Sequence, residues 1–127
     1  SRTEQSYNSK GVLIIDDTYN ANPDSFKEAF RVLDSTDKEN KICVIGDMKE
    51  LGTDFQQEMK KIIDEACERF DYVFLFNSKF ELSKENVVKI NIDNAEEKIG
   101  SLLSNNTAIL FKASRSVKIE ECMNIFK

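Results

Sequence analysis

The sequence has no histidine, one proline, four glycines and three cysteines among its 127 residues. Without histidine the chain cannot build a His-based triad, a His metal site or the commonest general base. The cysteines, at 43, 67 and 122, form no CxxC pair. An odd number at such spacing argues against a disulfide framework or a zinc cluster. Each falls in an apolar stretch and reads as a small core residue in a reducing compartment. Apolar runs reach only about five residues, far short of the ~20 that a membrane span needs. No signal-peptide pattern precedes the first apolar run, so a cytoplasmic, non-membrane chain is expected. The net charge is −5 and no basic stripe stands out, which argues against nucleic acid as a partner. The chain also lacks GxxxxGK[ST] and GxGxxG, so nothing in it can grip a triphosphate alone.

What is present describes one soluble α/β domain. Hydrophobic residues make up 40% and charged residues 32%, a globular balance at the length of one domain. Short apolar runs rich in β-branched and aromatic residues predict strands at 11–15, 41–45, 72–76, 87–92 and 107–111. Helices alternate with them. Asn22 followed by Pro23 is an N-cap and first-turn signal, and Phe26, Ala29, Phe30 and Leu33 follow at helical spacing. A second helix is marked by Phe55, Met59, Ile62, Ile63, Ala66 and Phe70, a third by Ala95, Ile99, Leu102 and Leu103, and a last by Ile119, Cys122, Met123 and Phe126. Residues 77–85 read as a connection. Residues 1–10 are polar and suit either an extra edge strand or a junction with something upstream, leaving 11–127 as the domain. The pattern predicts a Rossmann-like three-layer αβα sandwich with a mostly parallel sheet of five to six strands.

In such a sheet ligands bind beyond the carboxyl ends of the strands. Three polar loops follow strand ends here: DDTYNANPDS at 16–25, GDMKELG at 46–52 and KASRS at 112–116. Asp16 and Asp17 can accept from ribose hydroxyls or hold a cation, Tyr19 offers a flat face to a purine, and Asn20 and Asn22 can meet polar edges. The same residues are also what turns and helix caps use. In the third loop Lys112, Ser114, Arg115 and Ser116 precede the last helix. Backbone amides there suit an anion, or a serine there simply caps the helix.

The wording of these loops resembles a known family. LIIDDTYNANPDS, VIGDMKELG and LFKASRS follow, in order, the signatures of the Mur ligase C-terminal domain, in the branch that adds D-alanyl-D-alanine to UDP-N-acetylmuramoyl-tripeptide. The resemblance covers essentially the whole chain. It implies ATP and Mg2+ as cofactors, with phosphates and metal held mainly by a central domain absent here. It implies D-alanyl-D-alanine and UDP-N-acetylmuramoyl-tripeptide as substrates, with upstream domains as working partners. Carried over by position, Asp17 matches an aspartate at the ATP ribose, and Tyr19, Asn20 and Asn22 match the nucleotide-side loop. Arg2, fifteen residues before Asp17, matches a catalytic arginine near the phosphates, where a guanidinium suits the transferring charge. Ser114 and Arg115 match a turn near the dipeptide. Two positions depart from the pattern: Ala113 stands where the family has glycine, and Met59 where it often has histidine. If position 113 needs a left-handed backbone, alanine is strained there.

Other readings remain open from the sequence. A receiver-like signalling domain shares LIIDD, the later lysine and the length, but the third predicted strand ends in Asn77 where a receiver needs its phosphoacceptor aspartate. A diamino-acid-adding ligase or a folylpolyglutamate synthase is a closer alternative.

Overall fold

Apolar strands alternating with amphipathic helices need a sheet covered on both faces, and the chain builds one. The computed structural model describes residues 3–82, 84 and 86–127. Arg2 therefore lies outside the described residues. Among the described residues six strands are β1 (Glu4–Tyr7), β2 (Leu13–Asp17), β3 (Asn40–Ile45), β4 (Tyr72–Phe76), β5 (Val87–Ile90) and β6 (Thr107–Lys112). The α-helices among them are α1 (Pro23–Ser35), α2 (Phe55–Arg69), α3 (Ala95–Ile99) and α4 (Glu120–Met123).

The sheet order is β1-β2-β6-β3-β4-β5. β1 runs antiparallel on the edge beside β2, so this part of the polar N-terminal stretch is a strand; every other pairing is parallel. The last strand in sequence is thus inserted between the first two parallel strands. The doubly wound order of receiver domains instead leaves the last parallel strand at an edge.

The topology and the strand pleat sort the core into two layers. From β2 to β5 the chain steps one way across the sheet, and from β5 to β6 it steps back. Right-handed crossovers then place the helices of the two directions on opposite faces. On one face α1 (Phe26, Ala29, Phe30, Leu33) and α2 (Met59, Ile62, Ile63, Ala66) pack on Leu13, Ile15, Cys43, Ile45 and Leu110. On the other, Ala95, Ile99, Ile119, Cys122, Met123 and Phe126 pack on Ile14, Ile42, Val44, Ile109 and Phe111. Alternate residues of each strand serve alternate faces, as a pleated strand requires.

The C-terminal third departs from the expected helices. α3 stops at Ile99 and passes into a 3₁₀ turn over Gly100–Leu102. After β6 comes a 3₁₀ turn at Arg115–Val117, then Lys118 with φ of 58°, and only four residues of α4. A left-handed residue cannot continue a helix, so the turn after β6 stays separate from α4, and α4 ends at Met123, short of the predicted Phe126.

Candidate functional site

The carboxyl ends of β2, β6 and β3 lie side by side, and their chains leave in different directions. β2 and β3 lead to helices on one face, while β6 leads to α4 on the other. Crevices open where neighbouring connections diverge, so β6 has one on each side. The three loops singled out in the sequence meet there.

Register decides which acidic residue faces which side. Asp17 is paired with Lys112 across the parallel β2–β6 ladder. Asp17 follows Leu13 and Ile15 toward α1, and Lys112 follows Ala108 and Leu110 to the same face. Lys112 Nζ lies 3.1 Å from Asp17 Oδ2 and 2.9 Å from the Asn20 carbonyl oxygen, with the Phe26 ring centre 5.4 Å away. Lys112 is 1% exposed and Asp17 6%. Burial pulls the Lys112 ammonium below the ordinary lysine range, against the opposing pull of Asp17. Asp16 points to the opposite face, where its Oδ1 accepts from the Thr18 amide (3.2 Å) and Thr18 Oγ1 (2.8 Å).

The rest of the first loop divides between structure and surface. Asn22 Oδ1 accepts from the Ser25 amide at 2.8 Å while Ser25 Oγ accepts from the Asn22 amide at 2.9 Å. This reciprocal capping box starts α1. The Asn22 side-chain oxygen is thereby committed to the helix. Asn20 is exposed and its Oδ1 accepts from the Ala21 amide at 2.9 Å. Tyr19 is 45% exposed, and the Arg115 guanidinium sits 5.1 Å from its ring centre. The phenol and the third-loop arginine therefore stand together over the β2–β6 crevice.

Ser114 bridges two loops. Its amide donates to the Asp47 carbonyl at 3.1 Å, and its Oγ accepts from the Lys49 amide at 2.8 Å. The oxygen is thus tied to the second loop rather than capping its own turn, which has no side-chain cap bond. The helix N-terminus expected as an anion site is one short 3₁₀ turn. Ala113 is buried and is not among the residues with a left-handed backbone, so the anticipated strain is absent. Its methyl lies against the bare α-carbon of Gly46: a Cβ on Gly46 would come within 2.5 Å of it. Met59 is fully buried on the sheet-facing side of α2, a packing position.

Two groups carry more of this site than the sequence suggested. Lys112 appeared there only as one basic residue of a loop. The signal for its pairing was that Asp17 and Lys112 both end strands whose side chains alternate in phase. Asp47 appeared as ordinary turn chemistry. It is 1% exposed and accepts from Ser78 Oγ and from the Lys79 amide (2.8 Å), pinning the loop after β4 beneath the site.

Two openings on this edge are suited to ligands. One of about 360 Å³ is lined by Asp17, Tyr19, Asn20, Asn22, Ser25 and Lys112, among others. The other, about 480 Å³, lies between the three loops and includes Asn20, Lys49, Glu50, Ser114, Arg115 and Ser116. Ser114 and Arg115 thus border a different opening from Asp17. Among the described residues no three His, Cys, Asp or Glu side chains converge to hold a metal ion. No described helix is long and apolar enough to cross a membrane.

Known proteins resemble this chain in sequence and fold. The UDP-N-acetylmuramoyl-tripeptide–D-alanyl-D-alanine ligase of Bacillus subtilis is 34% identical over 87% of this chain, and that of Rickettsia prowazekii 30% over 94%. The chain spans less than a third of the length of these curated relatives, 27% and 28% respectively. Among solved structures, the MurF ligase of Thermotoga maritima in complex with ADP superposes with a TM-score of 0.83. That likeness holds at 32% identity over 98% of this chain and 30% of the other. The family described as Mur ligase, glutamate ligase domain, matches residues 1–117. With its fold, its loops and its relatives in agreement, the chain belongs to the Mur ligase family as its glutamate ligase domain.

Proposed function

We propose that this domain is the C-terminal part of the ATP-dependent ligase that joins D-alanyl-D-alanine to UDP-N-acetylmuramoyl-tripeptide, in the cytoplasm, during peptidoglycan synthesis. The observation that carries the reading is the Asp17 carboxylate, held by Lys112 at the lip of the 360 Å³ opening beside Tyr19. A carboxylate with one oxygen anchored and the other toward a cleft suits the paired hydroxyls of a ribose. Tyr19 supplies an aromatic face for the base, and Asn20 a polar edge. Asn22 contributes by starting α1 and shaping the loop. The relative solved with ADP supports a nucleotide as the ligand of this edge.

The second opening suits the dipeptide. Arg115 can take its carboxylate in a charge-assisted pair, and the Ser114 hydroxyl still has its proton to donate. Arg2 is assigned to the phosphates at the junction with the neighbouring domain. ATP supplies the phosphoryl group that activates the acceptor carboxylate, and Mg2+ offsets its charge. The metal and most of the phosphate contacts are assigned, from the family resemblance, to the central domain of the full-length protein. This domain's share is to close over the nucleotide, orient the incoming amine and exclude water.

The test is Asp17→Ala in the full-length protein carrying this domain. KM for ATP should rise roughly 10- to 100-fold, since one charged hydrogen-bond acceptor is worth roughly 1.5–3 kcal/mol. Unchanged kinetics with a lowered melting temperature would assign Asp17 to loop structure alone.

A further inference from the structure

We propose that Lys112 is a positioning residue for nucleotide recognition: it fastens both ends of the Asp17–Asn20 segment and so sets the direction of the Asp17 carboxylate. This rests on the nucleotide reading of the cleft given above.

A fully buried ammonium is costly unless partners replace its hydration. Lys112 has two, and they are three residues apart in the chain. Its Nζ reaches Asp17 Oδ2 at 3.1 Å and the Asn20 carbonyl at 2.9 Å. The Phe26 ring closes a further side at 5.4 Å. The other hydrogen bonds described for Thr18 and Asn20 are local: Thr18 bonds to Asp16, and Asn20 Oδ1 accepts from Ala21. The lysine comes from the end of the sheet's central strand β6, so it ties a surface loop to the most buried backbone of the fold.

The geometry has a directional consequence. With Oδ2 committed to Lys112, Oδ1 has no hydrogen bond among the described residues and borders the cleft that Asp17 lines. A neutral side chain at 112 would release both ends of the segment together. An arginine could reform both bonds, since it carries several donors.

The experiment compares Lys112→Met, Lys112→Arg, Asp17→Asn and the Asp17→Asn/Lys112→Met double variant in the full-length protein. Amide hydrogen exchange of residues 18–22 and steady-state kinetics in ATP are both measured. Lys112→Met should speed exchange in this segment at least tenfold. It should also raise KM for ATP about tenfold and leave kcat within twofold. Lys112→Arg should restore most of both. In the Asp17→Asn background the methionine change should add less than twofold to KM, because the lysine acts through that carboxylate. Unchanged exchange at 18–22, or an equal KM effect in both backgrounds, overturns the proposal. If Lys112→Met does not fold, the double variant, which leaves no unpaired charge, decides by its exchange: fast at 18–22 supports the tether, and wild-type rates refute it. If the wild-type protein shows no ATP-dependent ligation, the functional reading fails, while the exchange comparison still judges the tether.

Discussion

Replacing Gly46 by alanine should destabilise the domain from the floor of the site. The added Cβ would lie 2.5 Å from the Ala113 methyl and 2.9 Å from Val117 Cγ1, where carbon atoms prefer about 3.5–4.0 Å. Ala113 has no side-chain torsion with which to yield. The backbones cannot easily part either: the Gly46 amide donates to the Lys112 carbonyl at 2.9 Å, and the Ser114 amide to Asp47 at 3.1 Å. Overpacking of this kind costs about 1–3 kcal/mol, and two simultaneous clashes in a pinned junction place Gly46→Ala near the upper end. For a domain of this size that corresponds to a fall in melting temperature of roughly 5–15 °C. The assay is urea unfolding of Gly46→Ala, Ala113→Gly and the double variant. Ala113→Gly alone should cost about 1 kcal/mol through added chain freedom and a lost buried methyl. Combined with Gly46→Ala it removes the shorter clash, so the pair should be more stable than the sum of the singles by at least ~1 kcal/mol. A wild-type midpoint for Gly46→Ala, or strict additivity in the cycle, would refute the reasoning.

Asp47→Ala should cost about 1–3 kcal/mol by leaving the Ser78 hydroxyl and Lys79 amide without their acceptor; thermal unfolding measures it, with Asp47→Asn expected to recover part. Asn22→Ala should lose about 1 kcal/mol with the α1 capping box, and a change within 0.2 kcal/mol would show that the cap contributes little. Native thiol titration should find Cys67 reacting well before the buried Cys43 and Cys122, with all three reacting in denaturant. Burial raises the Cys122 thiol from its ordinary 9.0 to about 12, so its contribution is intact below pH 9 and lost as pH climbs toward 12. Lys112, with its pKa lowered by burial, acts in the opposite sense below its ordinary 10.5. Unfolding curves of wild type and Cys122→Ala across pH 8–12 isolate the thiol, and parallel pH dependence in the two would contradict it.

The sheet was legible in the sequence because its strands are short, apolar and bounded by polar turns. The α1 start was legible for a local reason: Asn22, Pro23 and Ser25 form their cap within four residues. Non-local arrangements were not. Nothing in the residues around Thr107–Lys112 says that this strand inserts between β2 and β3, yet that placement creates the Asp17–Lys112 pair. The apolar spacing of Ile119 to Phe126 suggested one helix. Only Glu120–Met123 is α-helical, starting just after Lys118, whose left-handed backbone no periodicity reveals; Cys122 and Met123 are buried from that helix and Ile119 and Phe126 from its flanks. Ser114 looked like a cap or a ligand contact, but its oxygen is taken by the Lys49 amide, 65 residues away. The Ala113 departure is understood only beside Gly46: the glycine that accommodates the junction is on the neighbouring strand end.

The insertion of β6 also governs when the fold can form. β6 pairs Leu13 with Ala108 and Asn40 with Thr107, so the middle of the sheet cannot close until nearly the whole domain has been synthesised. Until then β2 and β3 each present an unpaired apolar edge that invites pairing with another chain. Such long-range closure slows folding relative to local structure. The strand that completes the edge where the three loops meet is therefore also the strand whose arrival ends the chain's most aggregation-prone interval. Shortening the chain before residue 107 removes the site and the protection together.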